Sequence, residues 1–246
     1  TKTLRNKFGV VISASHNDFL DNGIKIFNED GEKISRDIEK RIEKHLSRDL
    51  SPVETSKIGK AYRFDESGPR YIEFCKSTIP PNMSFSSLRI VIDCANGACY
   101  KVSPEIFEEL GAEVITIGNK PDGYNINQDC GSTHPEVIKE AVIKHRADYG
   151  ISLDGDGDRV ILVDEKGNLL DGDDLLYILA FSNPNRTGVW SGVVGTHMSN
   201  LGLEQGIEKL GYKFIRADVG DKYVSEMLTK KGWMLGGETS GHIICK

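Results

Sequence analysis

The sequence predicts an α/β protein built as tandem three-layer α/β/α domains with mixed, largely parallel sheets. Three observations carry this. From residue 88 short apolar runs of strand type alternate with amphipathic helical stretches, the pattern of βαβ units. A second succession of the same kind starts near Asp171, and residues 1 to about 75 supply a third, incomplete set.

In the leading piece an apolar β run, GVVI, enters a polar loop and a second strand follows at GIKIF. The segment SRDIEKRIEKHL predicts a helix whose Ile38, Ile42 and Leu46 share one face. The Pro/Ser-rich stretch STIPPNMSFSS, residues 77–87, is the best linker, and GNLLDGDD marks a second boundary less sharply. The domains expected are therefore residues 1–76, 77–170 and 171–246.

The middle domain reads as strand LRIVID, a helix capped by Ser103 with Pro104 at its first position, and strand EVITI. A helix near His134 to Arg146, strands YGISL and VILVD and a turn at Glu165–Asn168 complete it. The last domain reads as helix DDLLYILAF, strand GVVGT, a helix from Ser199 to Leu210 ended by Gly211, and strand YKFIRA. A helix from Asp221 to Lys230 and the apolar run GWMLGG follow. These two domains resemble each other in order, but no short-period repeat is present, which excludes a solenoid.

Composition narrows the class. A chain of 246 residues holds one large domain or two to three small ones. A net charge of -6 argues against a nucleic-acid partner. No stretch approaches the roughly 20 apolar residues of a membrane span and no signal peptide is evident, so no membrane partner and a cytoplasmic location are expected. Five cysteines, an odd number without a CxxC pair, read as reduced and mostly buried thiols. The tripeptides Asn82-Met83-Ser84 and Asn185-Arg186-Thr187 match a glycosylation acceptor only by coincidence. The start at Thr1 and the stop at Cys245-Lys246, just after an apolar run, read as a piece of a longer protein.

Three loops carry the chemistry. The first, SASHNDFLDNG, presents Ser15 beside His16. The G-x-S-x-G elbow of a hydrolase is missing, and adjacent residues rarely face each other as nucleophile and base. Two readings stay open: a polar turn with His16 solvated, or a phosphate carried on Ser15 and offset by cations such as Lys25.

The second loop, DGDGDR, alternates Asp154, Asp156 and Asp158 with glycines, so three carboxylates can converge. Oxygen ligands alone suit Mg2+, and Arg159 can make paired hydrogen bonds to a phosphoryl group. A calcium EF-hand competes, since Glu165 falls at its twelfth position. Against it, Arg159 stands where the sharp turn requires glycine, and the flanks read as strands. A plain solvated turn is the remaining alternative.

The third loop, GGETSGH, spaces Glu238, Ser240 and His242 two apart, so an extended segment aims all three one way, toward sugar hydroxyls or an amine. His242 also suits general acid–base work, and the bland alternative is a Gly-rich turn. Upstream, Lys222 opens a predicted helix whose N-terminal amides favour anions.

These loops, in this order and spacing, together with RYIEFCKSTIP, IDCANGA, NINQDCGSTHPE, GTHMSNLGLE and RADVGDKYV, resemble the α-D-phosphohexomutase superfamily. The resemblance covers essentially the whole chain and is greatest to its bacterial amino-sugar branch. It implies a phosphoserine at Ser15, Mg2+ held by Asp154, Asp156 and Asp158 with that phosphate, and assistance from His16, Lys25 and Arg159. It further implies that Glu238, Ser240, His242 and Lys222 bind a phosphosugar.

The implied reaction interconverts glucosamine 6-phosphate and glucosamine 1-phosphate through glucosamine 1,6-bisphosphate or a similar bisphosphate. Its product feeds amino-sugar nucleotides for the cell envelope. A homodimer stays open. The alternatives are a phosphoglucomutase or phosphomannomutase, and a non-catalytic phosphosugar- or metal-binding module.

The chain departs from the family pattern at Asp18, where Pro is usual, at His197 for Leu and at Lys222 for Arg. Asp18 is expected to add negative charge beside the phosphoserine. The family's opening G-T-D-G-x-R-G and the domain carrying R-x-S-G-T are not in these 246 residues, which are expected to turn over little by themselves.

Overall fold

The computed structural model describes residues 1–49, 51–183 and 188–246; the tripeptide at 185–187 lies outside them. In the leading unit β1 (Gly9–Ile12) and β2 (Ile24–Phe27) pair antiparallel, with Val11 opposite Lys25. Helix α1 (Arg36–Leu46) follows the buried anchor Ile34. The face of Ile38 and Leu46 is open: they are 43% and 79% exposed, and no residue of α1 is buried. Helix α2 (Ser67–Ser77) buries Ile72 and lies against the first helix of the next unit.

That central unit runs β3 (Arg89–Asp93), α3 (Val102–Glu109), β4 (Glu113–Ile117), α4 (Pro135–His145), β5 (Tyr149–Leu153), β6 (Val160–Asp164) and β7 (Leu169–Leu170). The sheet order is β4-β3-β5-β6-β7, parallel around β3 and antiparallel from β5 onward. Strand β3 is covered on both faces, so it reads as an unbroken apolar run. Val91 packs with Ile138, Val142 and Val163 under α4, while Ile90 and Ile92 pack with Ala112 and the half-buried Phe85 and Phe107 on the other side. The strands flanking the aspartates rule out the helix–loop–helix of an EF-hand.

The last unit runs α5 (Gly172–Ser182), β8 (Gly192–Thr196), α6 (Leu201–Lys209), β9 (Lys213–Ala217), α7 (Asp221–Lys231), β10 (Leu235–Gly237) and β11 (Ile243–Cys245). Its order, β9-β8-β10-β11, reproduces β4-β3-β5-β6 strand for strand, with the same parallel and antiparallel pairings. The β5–β6 and β10–β11 connections are therefore equivalent places in two copies of one topology. They also meet: Val160 donates its amide to the Gly241 carbonyl at 3.1 Å.

Two helix starts move. Lys101, not Ser103, precedes α3, and Pro104 sits inside the first turn, where helix amides lack carbonyl partners and proline is tolerated. Helix α6 starts at Leu201, capped by Asn200, whose Oδ1 accepts from the Leu203 amide at 2.7 Å. Ser199 instead accepts from the Thr196 amide. The boundary aspartate, Asp171, caps α5 reciprocally with Asp174. All five cysteines are free thiols, but only Cys94 and Cys130 are buried. No helix among the described residues is long and apolar enough to cross a membrane.

Candidate active site

The serine loop bridges β1 and β2 and rests on the β5–β6 loop. Ser15 has φ +54°, the left-handed region that costs a side-chain-bearing residue about 1–2 kcal/mol. Its Oγ donates to Asp154 Oδ2 at 2.6 Å, across 139 residues of chain. Ser13 stands beside it: its Oγ accepts from the Ser15 amide at 2.9 Å and donates to Asp156 Oδ2 at 2.9 Å. Glycine makes the approach feasible, since a Cβ on Gly155 would lie 2.5 Å from the Ser15 carbonyl oxygen.

Asp154, Asp156 and Asp158 each offer a carboxylate oxygen within 4.8 Å of the others. Lys25, on β2, reaches into this group, with Nζ 2.5 Å from Asp156 Oδ2 and 3.2 Å from Asp158 Oδ2. Burial alone would lower the Lys25 ammonium, but hydrogen bonding to Asp156 and the charges of both aspartates raise it. Asp154 is 0% exposed, and burial pushes its carboxyl up against the Ser15 hydrogen bond, with Asp158 and Asp156 adding to the rise. For Asp158 burial also pushes up, but His242 and Lys25 prevail and hold it well below the usual carboxylate range.

Among the described residues the second oxygens, Asp156 Oδ1 and Asp158 Oδ1, are buried without a hydrogen-bond partner, although His242 Nδ1 approaches Asp158 Oδ1 to 3.7 Å. Orphaned buried oxygens in a like-charged group carry a desolvation cost that a cation removes. An all-oxygen set of this kind fits a hard divalent ion. Arg159 donates its amide to Asp154 Oδ1 at 3.1 Å, and the Nε of its half-buried side chain has no hydrogen-bond partner among the described residues.

The third loop is not extended. Thr239 and Ser240 turn the chain between β10 and β11, the Gly241 amide closes on the Glu238 carbonyl at 3.0 Å, and Gly241 has φ +91°. The expected common direction of Glu238, Ser240 and His242 is thereby lost. Glu238 is buried and accepts from the Gly220 amide at 2.8 Å, whereas Ser240 is exposed. His242 lies between two carboxylates, with Nδ1 3.7 Å from Asp158 Oδ1 and Nε2 3.7 Å from Asp221 Oδ2. Burial would lower its imidazole, but Asp158, Asp221 and Glu238 leave it raised.

Lys222 turns toward α1, with Nζ 3.7 Å from Glu39 Oε2. It shares a cleft of about 560 Å³ with Lys25, Lys33, Glu39 and Asp221. His16 is exposed on the serine loop. Asp18 is also exposed and turns back on its own loop, Oδ1 accepting from the Leu20 amide at 2.8 Å.

The structure brings Ser15, Lys25 and the three aspartates together, and it sets His242, expected only in the sugar-reading loop, against Asp158. Sequence reasoning missed Ser13, Asn127 and Asp221. Asn127 lies in the NINQDC string, but only its position in space shows that its side chain holds the serine loop.

A serine hydroxyl seated on a cluster of three carboxylates, beside two copies of one α/β topology, is the frame of the site, and the chain belongs to the phosphoglucomutase/phosphomannomutase family. Models for that family's alpha/beta/alpha domains I, II and III match residues 1–52, 69–167 and 171–246. Among curated proteins it is similar to the phosphoglucosamine mutase of Legionella pneumophila (strain Lens), 58% identical over 245 residues, 100% of this chain and 54% of the relative. The phosphoglucosamine mutase of Thioalkalivibrio sulfidiphilus is 54% identical with the same coverage. The chain thus spans about half the length of the curated relatives it matches.

Among solved structures, a putative phosphomannomutase from Thermus thermophilus shares the fold with TM-score 0.81 at 24% identity, over 99% of this chain and 56% of that one. Aspergillus fumigatus N-acetylphosphoglucosamine mutase, in complex with GlcNAc-6P and magnesium, does so with TM-score 0.71 at 20% identity, over 98% and 61%.

Proposed function

We propose that this chain carries the phosphoryl-transfer centre of a phosphohexomutase that interconverts glucosamine 6-phosphate and glucosamine 1-phosphate. The observation that carries the reading is the 2.6 Å hydrogen bond from Ser15 Oγ to Asp154 inside a cluster of three aspartates. The similarity to phosphoglucosamine mutases over the whole chain supports the amino sugar.

In this reading Ser15 Oγ carries the phosphoryl group and passes it to a hydroxyl of the bound sugar monophosphate. The resulting bisphosphate reorients and returns its other phosphoryl group to Ser15. Asp154, Asp156 and Asp158 hold Mg2+, which when bound neutralises charge on the phosphoryl oxygens. Lys25 and Arg159 flank the transferred group and offset its charge. His16, exposed at the loop, assists from the open side. Glu238, Ser240 and His242 read the sugar, and Lys222 offers a cation to its phosphate.

Transfer of this type needs positioning and charge neutralisation more than new covalent machinery, and this cluster supplies both. The test is the intact mass of the chain incubated with Mg2+ and glucosamine 1,6-bisphosphate. A gain of one phosphoryl unit in the wild type and none in Ser15→Ala is expected, with slower gain from glucose 1,6-bisphosphate. No gain in folded, metal-bound protein overturns the reading; equal gain from the two sugars leaves the transfer centre and overturns the amino-sugar preference.

A further inference from the structure

The geometry points to Asn127 as the positioning residue of the serine loop: its side-chain amide clamps the Ser15 and Asn17 carbonyls and so aims Ser15 Oγ at the carboxylates. This inference rests on the phosphoryl-transfer reading of Ser15. Asn127 Nδ2 donates to the Ser15 carbonyl at 2.9 Å and to the Asn17 carbonyl at 2.7 Å, spanning 112 and 110 residues of chain. Both amide protons are thus spent on one loop.

The clamp is itself anchored. Asn127 is 6% exposed, and its amide donates to the Ala95 carbonyl at 2.8 Å. The Ala95 and Gly131 amides in turn donate to the fully buried carboxylate of Asp93, at 3.0 and 2.7 Å. Asp93 ends β3, an interior strand of the sheet that also carries the aspartate loop. A rigid path therefore runs from the sheet through Asp93, Ala95 and Asn127 to the carbonyl of Ser15.

Two further contacts confine the same loop. The Ser15 carbonyl oxygen lies in a recess that a Cβ on Gly155 would occupy, and Phe19 meets Tyr124 edge-on with ring centroids 5.3 Å apart. Ser15 needs such support because its φ of +54° is intrinsically unfavourable. Released from the clamp, the residue relaxes toward ordinary backbone angles and its hydroxyl swings away from Asp154. A misplacement of about 1 Å at a reacting group costs on the order of a hundredfold in rate.

Two variants test this in the whole chain. Asn127 has φ +56°, which Asp tolerates and Gly adopts freely, so Asn127→Asp and Asn127→Gly remove the donors without adding backbone strain. Hydrogen exchange is followed at amides 13–19, Mn2+ affinity at the aspartates, and phosphoryl uptake onto Ser15 from glucose 1,6-bisphosphate by intact mass. In both variants exchange across the loop rises at least about tenfold, and the maximum uptake rate falls about tenfold to a hundredfold. The half-saturating bisphosphate concentration and the Mn2+ affinity stay at wild-type values, a split that general destabilisation does not produce.

Unchanged exchange or unchanged maximum uptake in folded variants overturns the inference. If the wild type takes up no phosphate, the transfer reading fails, and exchange alone still decides the clamp. If neither variant folds, the wild type decides. Its amides at 15–17 must exchange more slowly than those at 28–32, and equal rates overturn the clamp.

Discussion

Lys33 Nζ lies 2.5 Å from Asp221 Oδ2, an ion pair that ties the leading unit to the first turn of α7 across 188 residues. Arg36 adds a hydrogen bond to the Tyr223 hydroxyl two residues along the same helix. Burial alone would raise the Asp221 carboxyl, but Lys33, with His242, holds it below its ordinary value.

A lowered carboxyl stabilises the folded state above its unfolded pKa of about 3.9, and that contribution fades as pH falls through the folded value. Asp221→Asn is therefore expected to lower stability at pH 7 by no more than about 1 kcal/mol, because both partners are partly solvated. The gap between wild type and variant closes on acidification below about pH 4. Urea midpoints at the two pH values check this, and a gap that persists in acid contradicts it.

Mg2+ is expected to stabilise the chain through the aspartate loop. At a hundredfold its dissociation constant the gain is about 2.7 kcal/mol, read as a rise in the thermal midpoint. Asp156→Ala and Asp158→Ala each remove a carboxylate of the cluster with a buried, non-hydrogen-bonded oxygen and are expected to abolish most of the rise. Equal Mg2+ shifts in wild type and both variants place the ion elsewhere.

Without metal, Lys25 offsets Asp156 and, together with His242, Asp158. Lys25→Met is expected to cost about 2 kcal/mol in metal-free buffer, since it takes a cation from two half-buried carboxylates. Saturating Mg2+ recovers much of that loss. A cost that Mg2+ leaves untouched assigns Lys25 to packing instead of charge balance.

Gly155→Ala tests the seat of the serine loop. The added methyl meets the Ser15 carbonyl oxygen at 2.5 Å and Asn127 Nδ2 at 2.7 Å, so the loop must lift. Overpacking of this kind costs about 1–3 kcal/mol. Faster hydrogen exchange at residues 13–19, with the central sheet still protected, is the expected pattern.

The strands of the two later units were legible because β3 and β8 are covered on both faces and read as plain apolar runs. The aspartate loop was legible for a different reason: alternating Asp and Gly has few structural uses other than gathering oxygens. The GETSGH segment misled because a period of two assumes extended backbone, and Gly241 at φ +91° reverses the chain there. Ser103-Pro104 misled because proline suits the whole first turn of a helix, not only its first position. Asn127 and the Lys33–Asp221 pair were beyond sequence reading. Their partners lie more than a hundred residues away, and contact at that range leaves no local period or motif.

The matching strand orders β4-β3-β5-β6 and β9-β8-β10-β11 put the aspartate loop and the Glu238 loop at the same address in two successive modules. One address has thus been furnished twice, once with carboxylates for a cation and once with Glu238 and His242 at a turn. The Val160–Gly241 hydrogen bond joins the two addresses head to head. Under the function proposed above, labour would be divided at that junction: the third module's loop would be refitted for a different sugar while the charge-handling half stays as it is.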